Sequence, residues 1–272
     1  MADISIDEKR VYGEKTGTTE LYVAADLGVA VVAVSDDIVG EFSLAHRCTA
    51  RDLAAGPNRL AVATDADVLV SDDGGYAGTG FGPAVAVGFD DETLLAAGPD
   101  GRVARRGGEA WHRVGEIADV RAIDGDLVGA ADGVYRVDDG LAHVGLADVR
   151  DVATGGTPLA ATDDGLYYLG PGWAEGREGA FVAVASAPDR GHAAGEAGLF
   201  ERTDDGWTAC ALPTEEPVVA VAHGEPASGA DDGGERGVYA VTGGGRVLVD
   251  AGDGWRDRAL GLAGATALAV AP

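Results

Sequence analysis

The feature that most restricts the fold of this chain is an internal repeat. Residues 119–137 and 148–169 are two copies of one unit, and a third copy begins at Phe181. Each copy contains a strand of small residues, a polar turn, a second apolar strand, an Asp-Gly type turn, a third strand with Tyr or Phe, and a fourth strand. Four-stranded units that recur roughly every thirty to fifty residues are typical of the blades of a β-propeller.

One aliphatic position recurs in every copy and marks the predicted innermost strand of each blade. It is occupied by Leu53, Val87, Ile123, Val152, Val184, Val221 and Val270. In six copies the next residue is small: Ala54, Gly88, Ala153, Ala185, Ala222 and Ala271. Blades converge on the propeller axis, and the innermost strands have little room there. The small residues therefore support the assignment.

The two ends of the chain are predicted to share one blade. Residues 266–271 have the pattern of an innermost strand with no further strand after them, and residues 21–28 match a second strand and its turn. The C-terminal strand would complete a blade formed by residues 17–48, which removes the exposed sheet edges. We therefore predict an all-β chain with a single propeller domain over residues 1–272 and seven four-stranded blades. Residues 1–16 fit no blade, so six and eight blades remain alternatives, and residues 224–237 are predicted to be a flexible loop insertion.

The charge of the chain limits its partners. Its 272 residues include 46 Asp and Glu against 20 Lys and Arg, a net charge of −26, and Lys occurs only at positions 9 and 15. Such a surface repels nucleic acid and anionic membranes, so we expect neither as a partner. Abundant carboxylates spread along the whole chain, with scarce Lys, resemble the proteins of salt-in halophilic archaea. With no apolar signal core and two cysteines, we expect a cytoplasmic, reduced monomer.

The repeat also carries a resemblance to known families. In architecture it resembles WD-repeat and YVTN-type propellers, and more specifically haloarchaeal β-propeller proteins of unassigned function. The Trp-Asp and Gly-His pairs of WD repeats are missing, and residues 71–75 match the Asp-box of sialidase-type propellers only in part. The resemblance therefore implies the fold and points to no site.

Few side chains form a pattern that indicates chemistry. The four Trp residues fall at the start of the predicted fourth strands, which favours a packing role: Trp111, Trp173, Trp207 and Trp255. A zinc site usually has close-spaced pairs of ligands. His46 and Cys48 form one such pair without a second, and the other His residues are scattered, so we expect neither a metal nor a cofactor. The Asp-Asp-Gly runs are interpreted as hairpin turns.

The innermost strands suggest one candidate site. Arg51, Arg121 and Arg150 each lie two positions before the aliphatic residue, where the other blades have Val85, Val182, Val219 and Leu268. This position is close to the mouth of the central channel, and three guanidinium groups there would bind a carboxylate or phosphate. The alternative, which we favour, is a structural ring of ion pairs with the nearby Asp52, Asp119, Asp148 and Asp151. The candidate ligand-binding set is Arg51, Arg121, Arg150, Asp52 and Asp151.

Two functions follow as hypotheses. The first is a non-catalytic scaffold for protein–protein interaction, since a propeller is a rigid disc with many loops and no catalytic residues are identified; the fold supports this only by analogy. The second is a propeller that binds or processes a small anion or a carbohydrate at the arginine cluster. A sialidase-like mechanism would also need a Tyr-Glu nucleophile pair and an acidic Asp, and no matched repeat positions supply them.

Overall fold

The computed structural model describes residues 18–72, 75–224 and 237–271. These residues form 28 strands in seven antiparallel sheets of four strands each. In blades 2 to 7 the four strands follow one another along the chain, whereas blade 1 has the order β28-β1-β2-β3. The seven-bladed propeller predicted from the repeat is therefore confirmed.

The strands run from the innermost to the outermost position of each blade. Blade 1 consists of β1 (Thr19–Ala25), β2 (Gly28–Ser35), β3 (Ile38–His46) and the innermost β28 (Ala267–Val270). Blades 2 and 3 are β4 (Ala50–Gly56), β5 (Arg59–Thr64), β6 (Val68–Asp72), β7 (Gly75–Gly78), β8 (Ala86–Asp90), β9 (Thr93–Ala97), β10 (Arg102–Gly107) and β11 (Ala110–Glu116). Blades 4 and 5 are β12 (Val120–Asp124), β13 (Leu127–Ala130), β14 (Gly133–Val137), β15 (Leu141–Gly145), β16 (Val149–Ala153), β17 (Leu159–Thr162), β18 (Gly165–Leu169) and β19 (Trp173–Glu178). Blades 6 and 7 are β20 (Phe181–Ala187), β21 (Arg190–Gly195), β22 (Gly198–Thr203), β23 (Gly206–Ala209), β24 (Val218–His223), β25 (Val238–Thr242), β26 (Arg246–Asp250) and β27 (Arg256–Ala259).

Tight turns join the strands because Asn and Asp occupy the left-handed positions. Asp36, Asn58 and Asp91 have φ of 55°, 59° and 51° in the turns between β2 and β3, β4 and β5, and β8 and β9, respectively. Asn and Asp tolerate this region better than other non-glycine residues. The Asp-rich turns that the sequence placed between apolar runs are thus the turns of a β-meander.

The hydrophobic core lies between the blades rather than inside any one of them. The described residues form seven buried clusters, and each cluster combines side chains of two neighbouring blades. Between blades 3 and 4, for example, Leu95 and Val103 pack with Ile123 and Val128. Seven clusters for seven interfaces close the ring without a gap.

The tryptophans have the packing role that the sequence indicated, and the structure places them in the interfaces between blades. Each one joins the cluster between its own blade and the preceding blade: Trp111, Trp173, Trp207 and Trp255. The indole N–H of Trp173 donates to the Val144 carbonyl at 3.1 Å, and that of Trp111 donates to the Thr79 carbonyl at 3.3 Å. Both carbonyls belong to the preceding blade, so each indole also bonds across an interface.

The ends of the described chain meet in blade 1. Strand β28 is antiparallel to β1, with Leu268 opposite Val23 and Val270 opposite Leu21. On the outer side, Arg256 of blade 7 pairs with Asp37 of blade 1. The predicted closure by the C-terminal strand is therefore confirmed.

The register predicted for this closing strand is wrong by two residues. Leu268, not Val270, occupies the recurring aliphatic position, because its place opposite Val23 corresponds to that of Leu53 opposite Val62. Thr266, not Leu268, is then the counterpart of Arg51. A shift of two residues keeps every side chain on the same face of a strand, so the alternation Leu-Ala-Val did not distinguish the two registers.

Two predicted segments lie wholly or mostly outside the described residues. Residues 1–16, which fit no blade, lie outside the described residues, and so do positions 225–236 of the predicted loop insertion. The two ends of that loop are joined, since the Gly224 N–H donates to the Gly237 carbonyl at 2.9 Å. In the ranges that the structure describes, no helix is long and apolar enough to cross a membrane.

Candidate functional site: the arginine-lined mouth of the channel

A β-bulge begins the innermost strand of five blades. The bulged residues are Arg51, Arg121, Arg150, Val182 and Val219. A bulge places one extra residue in one strand and redirects the side chains beside it. The three arginines thus occupy equivalent bulges in blades 2, 4 and 5.

These bulges line a cavity of about 420 Å³ on the propeller axis. All five residues of the predicted ligand-binding set contribute to its wall: Arg51, Arg121, Arg150, Asp52 and Asp151. We call this cavity the arginine mouth. The structure therefore brings the predicted set together, while what the cavity binds stays a prediction.

Arg121 and Arg150 are held by carboxylates. Arg150 donates from Nε and Nη2 to the two oxygens of Asp163, at 2.6 and 2.8 Å. Arg121 donates to Asp119 at 2.9 Å and to the Val149 carbonyl at 3.2 Å. The hydrogen bonds from Arg150 lower the pKa of the Asp163 carboxyl below its usual range, and the charge of Arg121 adds to this effect.

The predicted ion-pair partners are correct only for Arg121. Arg150 pairs with Asp163, in the turn between β17 and β18, and not with Asp148 or Asp151. Arg51 has an exposed side chain and no ion pair among residues 18–72, 75–224 and 237–271. The mouth thus combines two neutralised guanidinium groups with one accessible guanidinium group.

Asp52 and Asp151 join neighbouring blades instead of binding arginine. Asp52 accepts hydrogen bonds from the backbone N–H of Leu53 and from that of Val87 in the next blade, both at 2.9 Å. Asp151 repeats this geometry with Val152 at 2.9 Å and Val184 at 2.8 Å. The sequence did not reveal this role, because the second donor to each carboxylate is a backbone group of the next blade.

Burial in the channel wall changes the acidity of these two carboxyl groups. It raises the pKa of Asp52 and of Asp151 to about 7 in each case, against the opposing effect of their N–H donors. Asp124, whose carboxylate binds the backbone N–H and hydroxyl of Thr154, adds a further like charge. At neutral pH the wall therefore holds carboxyl groups close to their midpoint of ionisation.

A wider cavity of about 890 Å³ opens at the other end of the axis. It shares Leu53, Ile123 and Leu268 with the arginine mouth, so the recurring aliphatic residues separate the two cavities. Its polar lining includes Asp90, Asp91 and Asp126, and none of the described residues around it is Arg or Lys. The two ends of the channel thus differ in charge.

A second polar cluster lies between blades 6 and 7, where the sequence suggested only scattered His residues. The Nδ1 of His192 lies 2.9 Å from the Nε2 of His223. Burial lowers the pKa of His192 to about 3, with a smaller contribution from the neighbouring His223. Cys210 is beside them, and burial raises the pKa of its thiol to about 11.

Seven blades, a ring closed in blade 1 and a polar channel define the class of this protein, a β-propeller. The family described as HVO_0234-like β-propeller matches residues 5–271, and the chain belongs to this family. The resemblance to haloarchaeal β-propeller proteins is therefore confirmed. No curated protein sequence matches the chain.

Solved structures share the fold at low sequence identity. YCF48 bound to D1 peptide has a TM-score of 0.58 and 16% identity, over 77% of this chain and 82% of that chain. YCF48 from Cyanidioschyzon merolae has a TM-score of 0.55 and 15% identity, over 78% and 85%. A chain of a nidogen–laminin complex has a TM-score of 0.57 and 9% identity, over 93% and 98%. At these identities the similarity concerns the fold alone.

Proposed function

We propose that this β-propeller is a non-catalytic scaffold that binds a partner protein at the arginine mouth. The observation that carries the proposal is that the wall of the mouth is charged on one side and apolar on the other. Blades 2, 4 and 5 contribute Arg51, Arg121 and Arg150, whereas blades 6 and 7 contribute Val182 and Val219 at the same position. A polypeptide with an acidic side chain beside an apolar one fits such a wall.

The exposure of Val182 supports this interpretation. Its side chain is 43% exposed, although it lies on the channel wall. Interfaces between proteins combine an apolar centre with a polar rim, and an exposed Val beside guanidinium groups offers both kinds of surface. The two paired arginines support it too, because their charges are already balanced and concentrate little positive potential for a small anion.

The host and location are part of the same proposal. A net charge of −26 spread along the chain fits a monomer in the cytoplasm of a halophilic archaeon. Two propellers of similar fold, YCF48 and the nidogen–laminin chain, were solved with a peptide or a protein partner. At 16% and 9% identity they support the proposal only as examples of the same fold used to bind a polypeptide.

The test is partner capture with the full chain from an extract of the source organism in molar KCl. The wild type and Arg113→Glu, an exposed arginine on outer strand β11, are expected to retain the same protein. Arg51→Glu and Val182→Asp are expected to lose it by about tenfold or more, as hot-spot residues do. Absence of a reproducible partner, or equal capture by all four proteins, contradicts the proposal.

The second candidate function, binding or processing of a small anion or a carbohydrate, is favoured by one observation. The guanidinium group of Arg51 is exposed at a cavity of about 420 Å³, a volume suited to a small ligand. Calorimetric titration with inorganic phosphate and with glucuronate tests it. Saturable binding that Arg51→Ala abolishes, together with no captured protein, would favour this candidate over the scaffold.

A further inference from the structure

Three side chains with metal-binding atoms meet on one face of blade 6. His192 of β21 lies directly opposite Glu201 of β22, and Cys210 follows the end of β23. A nitrogen of His192, a carboxylate oxygen of Glu201 and the sulfur of Cys210 all lie within 4.8 Å of one another. The face looks towards blade 7, because Cys210 packs in the cluster between blades 6 and 7.

Two residues of blade 7 fix the orientation of this group. The Nδ1 of His192 is bonded to the Nε2 of His223, which leaves the Nε2 of His192 for another ligand. The indole of Trp255 donates to the sulfur of Cys210. A metal-binding His usually uses its second ring nitrogen in such a bond, which holds the ring and selects the tautomer.

We propose that His192, Glu201 and Cys210 form a binding site for a single divalent metal ion of the zinc class. One imidazole, one carboxylate and one thiolate are a ligand set that Zn²⁺ accepts, whereas Mg²⁺ and Ca²⁺ prefer oxygen ligands alone. Metal–ligand bonds of 2.0–2.3 Å put the ligand atoms of a tetrahedral site roughly 3.5 Å apart. The three ligand atoms lie within 4.8 Å of one another before binding, so the side chains would have to draw together around the ion.

The burial of the three residues suits an ion that enters from solvent. His192 is only 2% exposed and held in place, Cys210 is partly buried, and Glu201 is exposed at the edge of the cluster. Glu201 would therefore be the ligand that closes on the ion last. Three protein ligands leave one position for water, as in zinc sites that are not purely structural.

The spacing explains why the sequence did not reveal the site. The three residues are nine positions apart, at 192, 201 and 210, because each comes from a successive segment of a β-meander. Zinc motifs are usually identified by pairs of ligands two to five positions apart. Only the pairing of β21 with β22, and the path of the chain after β23, bring these residues together.

Titration of the metal-free full chain with Co²⁺ tests the proposal. The chain is first treated with a chelator and kept in molar KCl, which suppresses binding of ions to the acidic surface. We expect one Co²⁺ per chain, an intense thiolate-to-cobalt absorption band in the near ultraviolet, and loss of that band when Zn²⁺ is added. No thiolate band at saturating Co²⁺ overturns the proposal.

The variants separate this site from the other cysteine. Cys210→Ser is expected to abolish the band, and Cys48→Ser, which alters the other Cys of the chain beside His46, to leave it unchanged. Glu201→Gln changes an exposed side chain and is expected to weaken Co²⁺ binding by about tenfold or more, as is His223→Gln through His192. Circular dichroism of each variant checks that it is folded. A band that survives in Cys210→Ser and disappears in Cys48→Ser assigns the thiolate to Cys48 and refutes the site.

Discussion

The register of the closing strand gives a sharp test of the fold. Leu268 occupies the recurring aliphatic position in β28, and Val270 lies two residues further on the same face. Leu268 is 8% exposed and belongs to the cluster between blades 1 and 7, whereas Val270 only packs against the edge of that cluster. Leu268→Ala and Val270→Ala therefore probe the two registers with the same type of truncation.

The expected losses follow from burial. Replacing a buried Leu by Ala destabilises proteins by about 2–5 kcal/mol. Leu268 lies beside the channel, where the neighbouring groups relax more easily, so we expect the lower part of that range, about 2–3 kcal/mol. Val270→Ala removes fewer carbon atoms from a partly exposed site and is expected to cost about 1 kcal/mol.

Equilibrium unfolding in urea measures the difference. Urea leaves the ionic strength unchanged, which matters for a chain of charge −26, and the fluorescence of the four Trp residues reports on the interfaces between blades. Equal slopes for the two variants and the wild type would show that midpoints reflect stability. A loss of free energy of unfolding in Val270→Ala that equals or exceeds the loss in Leu268→Ala would refute the register.

Three further predictions concern the channel wall and the blade interfaces. The folded chain prefers the protonated carboxyls of Asp52 and Asp151, whose pKa of about 7 is above the usual value. The free energy of unfolding should therefore rise as the pH falls from about 7 to about 4.5, and this dependence on pH should be weaker in the double variant Asp52→Asn/Asp151→Asn. Urea unfolding at each pH measures it, and the same dependence on pH in the wild type and the double variant would contradict the prediction. A Cβ on Gly88 would lie 2.5 Å from the Ile123 carbonyl oxygen, so Gly88→Ala should cost about 1–3 kcal/mol in thermal melting, and Gly140→Ala, with open space around it, less than about 0.5 kcal/mol. Trp173→Phe should cost about 1 kcal/mol or more in urea unfolding through loss of the bond to Val144, and an unchanged midpoint would argue against that bond.

The architecture was predictable because its determinants are local. Alternating Val and Leu with Asp-Gly turns specify short antiparallel strands, and a unit of four such strands cannot bury its faces without neighbours. The position of Trp173 at the start of a fourth strand was enough to indicate a packing role, and the structure places it between blades 4 and 5. The sharing of blade 1 followed from a C-terminal innermost strand with no further strand after it and from an N-terminal segment that matches a second strand.

The site was predictable only in part because its contacts are not local. The positions of Arg121 and Arg150 on the channel followed from the repeat. The bulges did not, since they depend on how two strands pair. Asp163 is 13 residues from Arg150 in sequence, in the turn of another strand pair, so the nearer Asp residues were better candidates on sequence alone. The bonds of Asp52 and Asp151 to the next blade have no sequence pattern, because any residue supplies a backbone N–H.

These contacts would behave differently from ion pairs at the high salt of the halophilic host proposed above. At molar ionic strength the Debye length falls to about 3 Å, so exposed ion pairs such as Arg150–Asp163 contribute little to stability. The carboxylates of Asp52 and Asp151 accept partly buried hydrogen bonds from the neutral backbone N–H groups of Val87 and Val184, and salt screens such bonds much less. Near the axis, then, blade 2 is linked to blade 3 and blade 5 to blade 6 by interactions that persist in salt. The recognition role proposed for the arginines of the mouth would therefore not compete with the bonds from Asp52 and Asp151 that link neighbouring blades.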